Sequence, residues 1–222
     1  MIELRALGAL LSYPRDEVRQ ALPEIAAAIA ASHLIAPRQR DDLLALINEL
    51  RASDLLEAEE RYVELFDRGR VASLHLFEHL HGEGRDRGQA MVDLKRLYER
   101  AGYELSSSEL PDYLPVVLEY LSCRDLREAR EILSDCAHIL RRVGQSLIAR
   151  SSRYAAVLQA LLVVAGEDPI DAAGVPPVRE RHENLDHDWY EQPAFAGEPL
   201  SAGRASGTAA TASSLRDSPP PR

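Results

Sequence analysis

The sequence predicts an all-α fold: a single compact multi-helix domain followed by a disordered C-terminal tail. Apolar residues recur at helical spacing up to about Ala165. No useful stretch alternates between apolar and polar residues, as a half-buried strand would. After Ala165, Pro, Gly, Ala, Ser and charged residues dominate, and such a segment buries too little apolar surface to offset its ordering entropy. We therefore expect a helical domain over residues 1–166 and a flexible tail over 167–222.

Prolines delimit the first three helices. Leucines at helical spacing form one face of the first helix, which runs to Tyr13 and is stopped by Pro14. A second, alanine-rich helix covers roughly residues 15–32 and is interrupted at Pro23, because proline removes a backbone donor and clashes with the preceding turn. The third helix starts at Pro37, whose fixed φ suits the first helical position.

The fourth helix is followed by a break in the helical pattern. Asp54 and Glu57 form a capping-box-like start for this helix. Gly69 and its polar neighbours then interrupt the pattern, and Ser73 can cap a short helix, LHLFEHL. Three glycines mark the turn that follows: Gly82, Gly84 and Gly88.

Four further helical segments complete the predicted domain. An amphipathic helix ends at Gly102, a natural C-terminal stop. The segment VVLEYLS forms the next helix, and a second capping signature at Asp125 starts a longer one that is broken near Ser134. The last helix covers about residues 152–165.

Composition excludes several functional classes. The formal charge of −10 argues against non-specific nucleic-acid binding, which needs clustered Lys and Arg. The two cysteines are too few for a disulfide framework or a thiolate zinc site. No apolar run reaches the roughly 18 residues of a membrane span, and the first residues have too short an apolar core for a signal peptide. We expect a cytoplasmic protein.

The stretch SLHLFEHLHGEGRDRGQAM (residues 73–91) has the composition of a metal or catalytic centre. His75 and His79 would share a helix face, and with Glu78 they match the inverted zincin spacing H-x-x-E-H. Glu78 and His81 have the Glu-x-x-His spacing of di-iron bundles. One hypothesis is therefore a metal-binding helical-bundle enzyme that uses these four side chains. The alternative is that they cap a helix end and hydrogen-bond within a tight turn.

We favour the tight turn over the metal site. The sequence GEGRDRG lacks the G-x-x-x-x-G-K-[ST] pattern of a phosphate loop, and no strand precedes it. Its arginines can pair with a carboxylate of the chain or of a bound partner. We expect a shaped turn, with no bound metal or cofactor, formed by His75, Glu78, His79, His81, Arg85, Asp86 and Arg87.

The segment ELPDYLP presents a second candidate surface. Pro111 and Pro115 fix two φ angles and leave the residues between them few conformations. Glu109 and Asp112 lie where the following helix presents its positive end. Such a rigid acidic turn can bind a basic side chain of a peptide, or it can serve only as a helix N-terminus.

Five segments together resemble the NarJ branch of the TorD-type chaperones, the cytoplasmic assembly factors for respiratory nitrate reductase. They occur in the family's order and cover most of the helical part: LLSYP (10–14), YVELFDRGR (62–70), SLHLFEHLHGEGRDRGQAMVDL (73–94), ELPDYLPVVLEYLS (109–122) and SRYAAVLQALL (152–162). The tail sequence DHDWYEQPAF also resembles a family element, which makes residues 184–195 a possible docking element.

The resemblance implies an all-helical chaperone and not an enzyme. Its partner would be the immature, molybdenum-containing catalytic subunit of nitrate reductase, including the N-terminal segment of that subunit. The chaperone would keep this subunit competent for molybdenum cofactor insertion and complex assembly. It would bind no nucleic acid and would not insert into the membrane.

A helical domain with an apolar groove can accept an amphipathic peptide through a few apolar anchors, while acidic residues orient the peptide's basic end. The candidate anchors are Tyr62, Phe66, Leu110, Tyr113, Leu114 and Leu118. The candidate acidic residues are Asp67, Glu109 and Asp112.

Overall fold

The computed structural model describes residues 1–68, 70–80, 85–105 and 109–177, without the side chains of residues 85 and 86. Within these ranges the chain forms ten α-helices, two 3₁₀ helices and no β-strand, which confirms the all-α prediction. The α-helices are α1 Ile2–Leu11, α2 Asp16–Ala31, α3 Pro37–Ala52, α4 Leu55–Phe66, α5 Phe77–Leu80, α6 Arg85–Arg100, α7 Leu114–Ser122, α8 Leu126–Asp135, α9 Ala137–Ala149 and α10 Ala155–Ala165.

Helix α10 lies at the centre of the helical body. Its sequence AAVLQALLVVA is apolar on every face, as expected of a helix surrounded by others. It packs against α9, α8, α3 and α1, and α1 in turn packs closely against α7. Gly8 permits that close approach, because a Cβ atom there would lie 3.3 Å from both Leu118 Cβ and the Pro115 carbonyl oxygen.

Several predicted boundaries are corrected by the structure. Helix α2 continues through Pro23 without interruption, since packing of its apolar face outweighs one lost backbone hydrogen bond. Helix α6 begins at Arg85, so Gly88 lies within a helix and not in the preceding turn. Gly102, at φ 81°, follows α6 as predicted. The predicted break near Ser134 is confirmed, since α8 ends at Asp135.

Residues 167–177, which we call the strap, lie beyond the predicted end of the helical domain. Asp171 caps a 3₁₀ helix at Ala172–Gly174, and Ile170 is only 7% exposed within the core. The body therefore extends past residue 166 to include Ile170. The predicted docking element at 184–195 falls outside the described residues. Among the described helices, none is both long and apolar enough to cross a membrane.

Candidate functional site

A cleft of about 230 Å³ opens on the surface where four parts of the chain meet: the residues after α1, the end of α4, the segment before α5 and the segment before α7. Four separate stretches of the chain supply its lining residues: Tyr13, Arg15, Tyr62, Phe66, Asp67, Leu74, His75, Glu109 and Tyr113. Five of these residues are aromatic or imidazole rings and three are charged. The lining of the cleft is therefore both aromatic and charged.

The base of the cleft is fixed by a pair of tyrosine hydroxyl groups. The Tyr62 hydroxyl donates to the carbonyl oxygen of Leu11 over 2.8 Å, which leaves its oxygen to accept from Tyr113, also at 2.8 Å. Burial raises the pKa of Tyr62 far above its usual value, so this hydroxyl stays protonated and remains a donor. The two bonds join the end of α1, helix α4 and the start of α7.

The aromatic rings of the cleft belong to a larger cluster that continues into the core. Tyr62 meets Tyr13 edge-on at a centroid distance of 5.5 Å and packs against Phe66 in a tilted arrangement at 4.8 Å. Phe66 meets Tyr154 edge-on at 5.2 Å. Edge-to-face pairs of this kind stabilise beyond their buried area. Tyr62 and Phe66 are only 3% and 5% exposed, so a ligand would meet a rigid wall.

Asp112 is not at the acidic edge of the cleft, as the sequence had suggested, but fully buried. Its carboxylate accepts from the backbone N–H of Phe77 at 3.0 Å and lies 3.3 Å from His75 Nδ1. Two backbone hydrogen bonds, Leu76 N to Asp112 O and Leu114 N to Leu74 O, run beside it. Asp112 thus caps α5, a role expected for Ser73, and joins the ELPDYLP turn to the segment before α5.

This junction sets the position of the rings on one wall of the cleft. His75 and Tyr113 form an isolated antiparallel bridge, with ring centroids 5.3 Å apart. The hydrogen bond to Asp112 raises the pKa of His75, and the negative charges of Asp112 and Glu78 act in the same direction, while burial and Arg87 oppose them. The Asp112–His75 pair thus shapes the cleft from behind.

In the described part of the histidine-rich segment, polar side chains have partners within the chain. His79 Nε2 lies 2.9 Å from the Ser73 carbonyl oxygen, and Glu78 pairs with Arg87 at 3.4 Å. No group of three His, Cys, Asp or Glu side chains among the described residues is arranged to hold a metal ion. His81 and the side chains of Arg85 and Asp86 lie outside the described part of the chain.

The remaining predicted anchors do not share one surface. Leu114 and Leu118 are 2% and 0% exposed and belong to the core, so they cannot contact a peptide directly. Leu110 is 44% exposed beside Glu109. All three are apolar residues of the ELPDYLPVVLEYLS segment, and apolar character alone does not separate residues that face the core from residues that face a ligand.

Four residues of the cleft were missing from the predicted binding set. Tyr13 and Arg15 flank Pro14 at the end of the LLSYP segment, and Leu74 and His75 precede α5. Three of them, all except Arg15, belong to the family-like segments, and that membership was the available signal. Contacts between residues 37 to 51 positions apart, such as His75 with Asp112 and Tyr62 with Leu11, bring these segments together, and local spacing carries no information about such contacts.

The match to a known family spans every residue that lines this cleft. A model of the family described as "Nitrate reductase delta subunit" matches residues 13–159. Over 165 residues the chain is 48% identical to the nitrate reductase molybdenum cofactor assembly chaperone NarJ of Escherichia coli (strain K12), covering 74% of this chain and 70% of that relative.

Two further relatives agree. The chain is 44% identical over 163 residues to the probable nitrate reductase molybdenum cofactor assembly chaperone NarW of Escherichia coli (strain K12), covering 73% of this chain and 68% of the relative. It is 36% identical over 162 residues to the probable NarJ chaperone of Bacillus subtilis (strain 168), covering 72% and 86%. Because these relatives are assembly chaperones by name, they confirm the prediction that the chain is not an enzyme.

Proposed function

Since the chain belongs to the nitrate reductase delta subunit family, we propose that it is an assembly chaperone for the molybdenum-containing catalytic subunit of respiratory nitrate reductase. It binds the immature subunit, including its N-terminal segment, at the cleft. Binding keeps the subunit competent for insertion of the molybdenum cofactor and for assembly of the complex. The chaperone acts in the cytoplasm and contributes no cofactor of its own.

One observation supports this proposal above others. Four of the five family-like segments, far apart in the sequence, each contribute residues to the same cleft. The fifth segment supplies α10, which holds the body together. A fold that needed these segments only for stability would have no reason to bring them to an open surface. A few aromatic anchors at such a surface account for most of the affinity in typical peptide recognition.

Calorimetric titration with a synthetic peptide of the cognate subunit's N-terminal segment tests the proposal. Tyr113 is half-buried at the cleft, so we expect Tyr113→Ala to weaken binding by about 2 kcal/mol or more. Tyr103→Ala is the matched control, because Tyr103 is exposed and meets Tyr120 edge-on, and neither residue lines the cleft. Absence of binding by the unmodified protein, or equal losses in both variants, would contradict the proposal.

No observation on the described residues supports the alternative hypothesis of a metal-dependent enzyme. His75 and His79 each have a hydrogen-bond partner within the chain, and Glu78 is paired with an arginine. Metal analysis of protein purified without added metal would revive that alternative only if iron, zinc or manganese were present at one equivalent or more.

A further inference from the structure

Arg15 occupies a position that local helix rules disfavour. It is the N-cap of α2, where Ser, Thr, Asp or Asn normally accept a hydrogen bond from the first turn, and its side chain forms no such bond. A guanidinium there also lies at the positive end of the helix dipole, although Asp16 and Glu17 partly offset it. Residues that break a local rule without a local gain often serve the function of a site.

The geometry shows what Arg15 does in place of capping. Its side chain lines the cleft, and its guanidinium carbon lies 5.9 Å from the centroid of the Tyr13 ring, within the range of a cation–π contact. Among the described residues, no carboxylate lies within ion-pair distance of Arg15. The guanidinium therefore rests on an aromatic wall and is not held in place by an ion pair.

The charges around Arg15 are predominantly negative. Asp67 and Glu109 both line the cleft, and His75 is already paired with Asp112. Burial raises the pKa of Tyr113, and Glu109 and Asp67 raise it further, whereas Arg15 lowers it. All three charges thus act on one hydroxyl group. Glu109 has an interaction partner of its own, but Asp67 forms no ion pair with any described residue.

We propose that the cleft is a binding site for one cationic side chain of the client, a guanidinium or ammonium group. In the unliganded protein, the Arg15 guanidinium occupies this site. Aromatic walls and the Asp67 carboxylate supply the attraction. Arg15 weakens this attraction, because it competes with the client's cation for the same aromatic rings. Only a well-oriented cation therefore displaces Arg15. This inference rests on the proposed function, which supplies the client.

The opposite occupant, an acidic side chain bound by Arg15 and the tyrosine hydroxyls, fits the cleft less well. It would face two carboxylates, Asp67 and Glu109, across a cleft of about 230 Å³. The negative charges of Asp67 and Glu109 would repel an acidic side chain in a cleft of this size. The Tyr62 hydroxyl is also already committed to the carbonyl of Leu11.

The test uses small probes that do not depend on the client. N-acetyl-arginine amide, N-acetyl-norleucine amide and N-acetyl-glutamate are titrated into the full chain while the ring signals of Tyr13 and Tyr113 are followed by NMR. We expect saturable shifts with the arginine probe alone. Asp67→Asn should weaken the apparent affinity about fivefold and Arg15→Gln should strengthen it by a similar factor. Glu64→Gln and Arg5→Gln, exposed and outside the cleft, are the charge-matched controls.

The outcomes separate this inference from the proposed function. Equal shifts with the norleucine probe, preference for the glutamate probe, or no effect of Arg15→Gln would overturn the cation site. If the client peptide still bound in a Tyr113-dependent way, the proposed function would stand alone. Selective binding of the arginine probe with no binding of the client peptide would instead support the cation site and contradict the proposed function.

Discussion

Asp112 illustrates how one buried carboxylate can shape a surface that it does not reach. It is fully buried, yet the hydrogen bonds that it accepts hold His75 and the first turn of α5 in place. A buried charge is costly unless it is paired and hydrogen-bonded. Both conditions are met here, and His75, with 28% of its side chain exposed, connects this buried pair to the cleft.

This pair predicts a pH-dependent part of the stability. The bond to Asp112 raises the pKa of His75 above its usual 6.5, so folding favours the protonated ring. The stabilisation is complete below about pH 6.5 and is lost as the pH rises through the raised pKa. Urea unfolding should therefore show a larger stability difference between the unmodified protein and His75→Gln at pH 6 than at pH 9.

Comparison with the variant cancels the other titrating groups, including the exposed Cys123. The Phe77 N–H bond to Asp112 does not titrate, so part of the Asp112 contribution persists at pH 9. His79→Gln is a useful control, because its ring contacts a backbone carbonyl and not a carboxylate. A stability difference for His75→Gln that is constant or grows with pH would contradict the assigned pair.

The residue scale is also where the sequence was least informative. Tyr62 and Tyr113 were predicted as anchors, because aromatic residues in family-like segments are strong candidates. In the structure their hydroxyl groups lie together in the cleft. Asp112 and Leu118 were placed at the surface although both are fully buried. Whether a carboxylate is exposed depends on a second segment, here residues 73–77, that covers it. Spacing within one segment cannot reveal that cover.

At the scale of elements, most helices follow from local signals. The caps at Asp54 and Asp125 are present, each accepting from a backbone N–H of the first turn. Such signals act over a few residues, so they can be read from the sequence. The strap could not be read in this way, because a single buried isoleucine among polar residues has no periodicity. The position of the strap depends on the space that a glycine leaves on the surface of helix α9.

That gap is at Gly144 on α9, and it predicts strong coupling between the helix and the strap. A Cβ atom at position 144 would lie 2.4 Å from Ile170 Cδ1 and 3.3 Å from Leu158 Cβ. Gly144→Ala should cost about 1–3 kcal/mol through overpacking, in spite of the better helix propensity of alanine. In an Ile170→Ala background the same change should cost less, because the end of the isoleucine side chain is gone.

A double-mutant cycle measured by denaturant unfolding checks this prediction. We expect an interaction energy between the two positions of at least about 0.5 kcal/mol, with the second substitution relieving the first. Gly88→Ala is the control, since nothing lies within 4 Å of a Cβ atom there. Additive effects of Gly144→Ala and Ile170→Ala would show that the strap does not fill this gap in solution.

At the scale of the whole molecule, the packed body and the cleft overlap only in part. Helices α1, α3, α7, α9 and α10 form the tightly packed body. At the cleft, helix α4 contributes Tyr62 and Phe66, and segments outside the helices contribute the other lining residues. Loop segments on a rigid scaffold are common positions for binding sites. Tyr62 and Phe66 belong to both the cleft and the core, whereas the exposed Arg15, Asp67 and Glu109 can be changed without repacking of the core.

The strap gives the last prediction, which concerns where the folded body ends. A chain truncated after residue 166 loses Ile170 from the core and the hydrogen bond from Arg141 to the Asp168 carbonyl oxygen. We expect it to be less stable by about 2–5 kcal/mol, the usual cost of removing a large buried aliphatic side chain. A chain truncated after residue 177 keeps both contacts and should match the full chain within about 0.5 kcal/mol.

Urea unfolding of the three chains at one pH makes the comparison, and Ile170→Ala in the full chain separates the side chain from the rest of the strap. Most of the loss on truncation after residue 166 should appear in that single substitution, because Ile170 is the buried strap residue. Equal stability of the two truncated chains would place the end of the body at residue 166. A clear loss on truncation after residue 177 would instead mean that the element at 184–195, with Trp189, docks on the body and stabilises it.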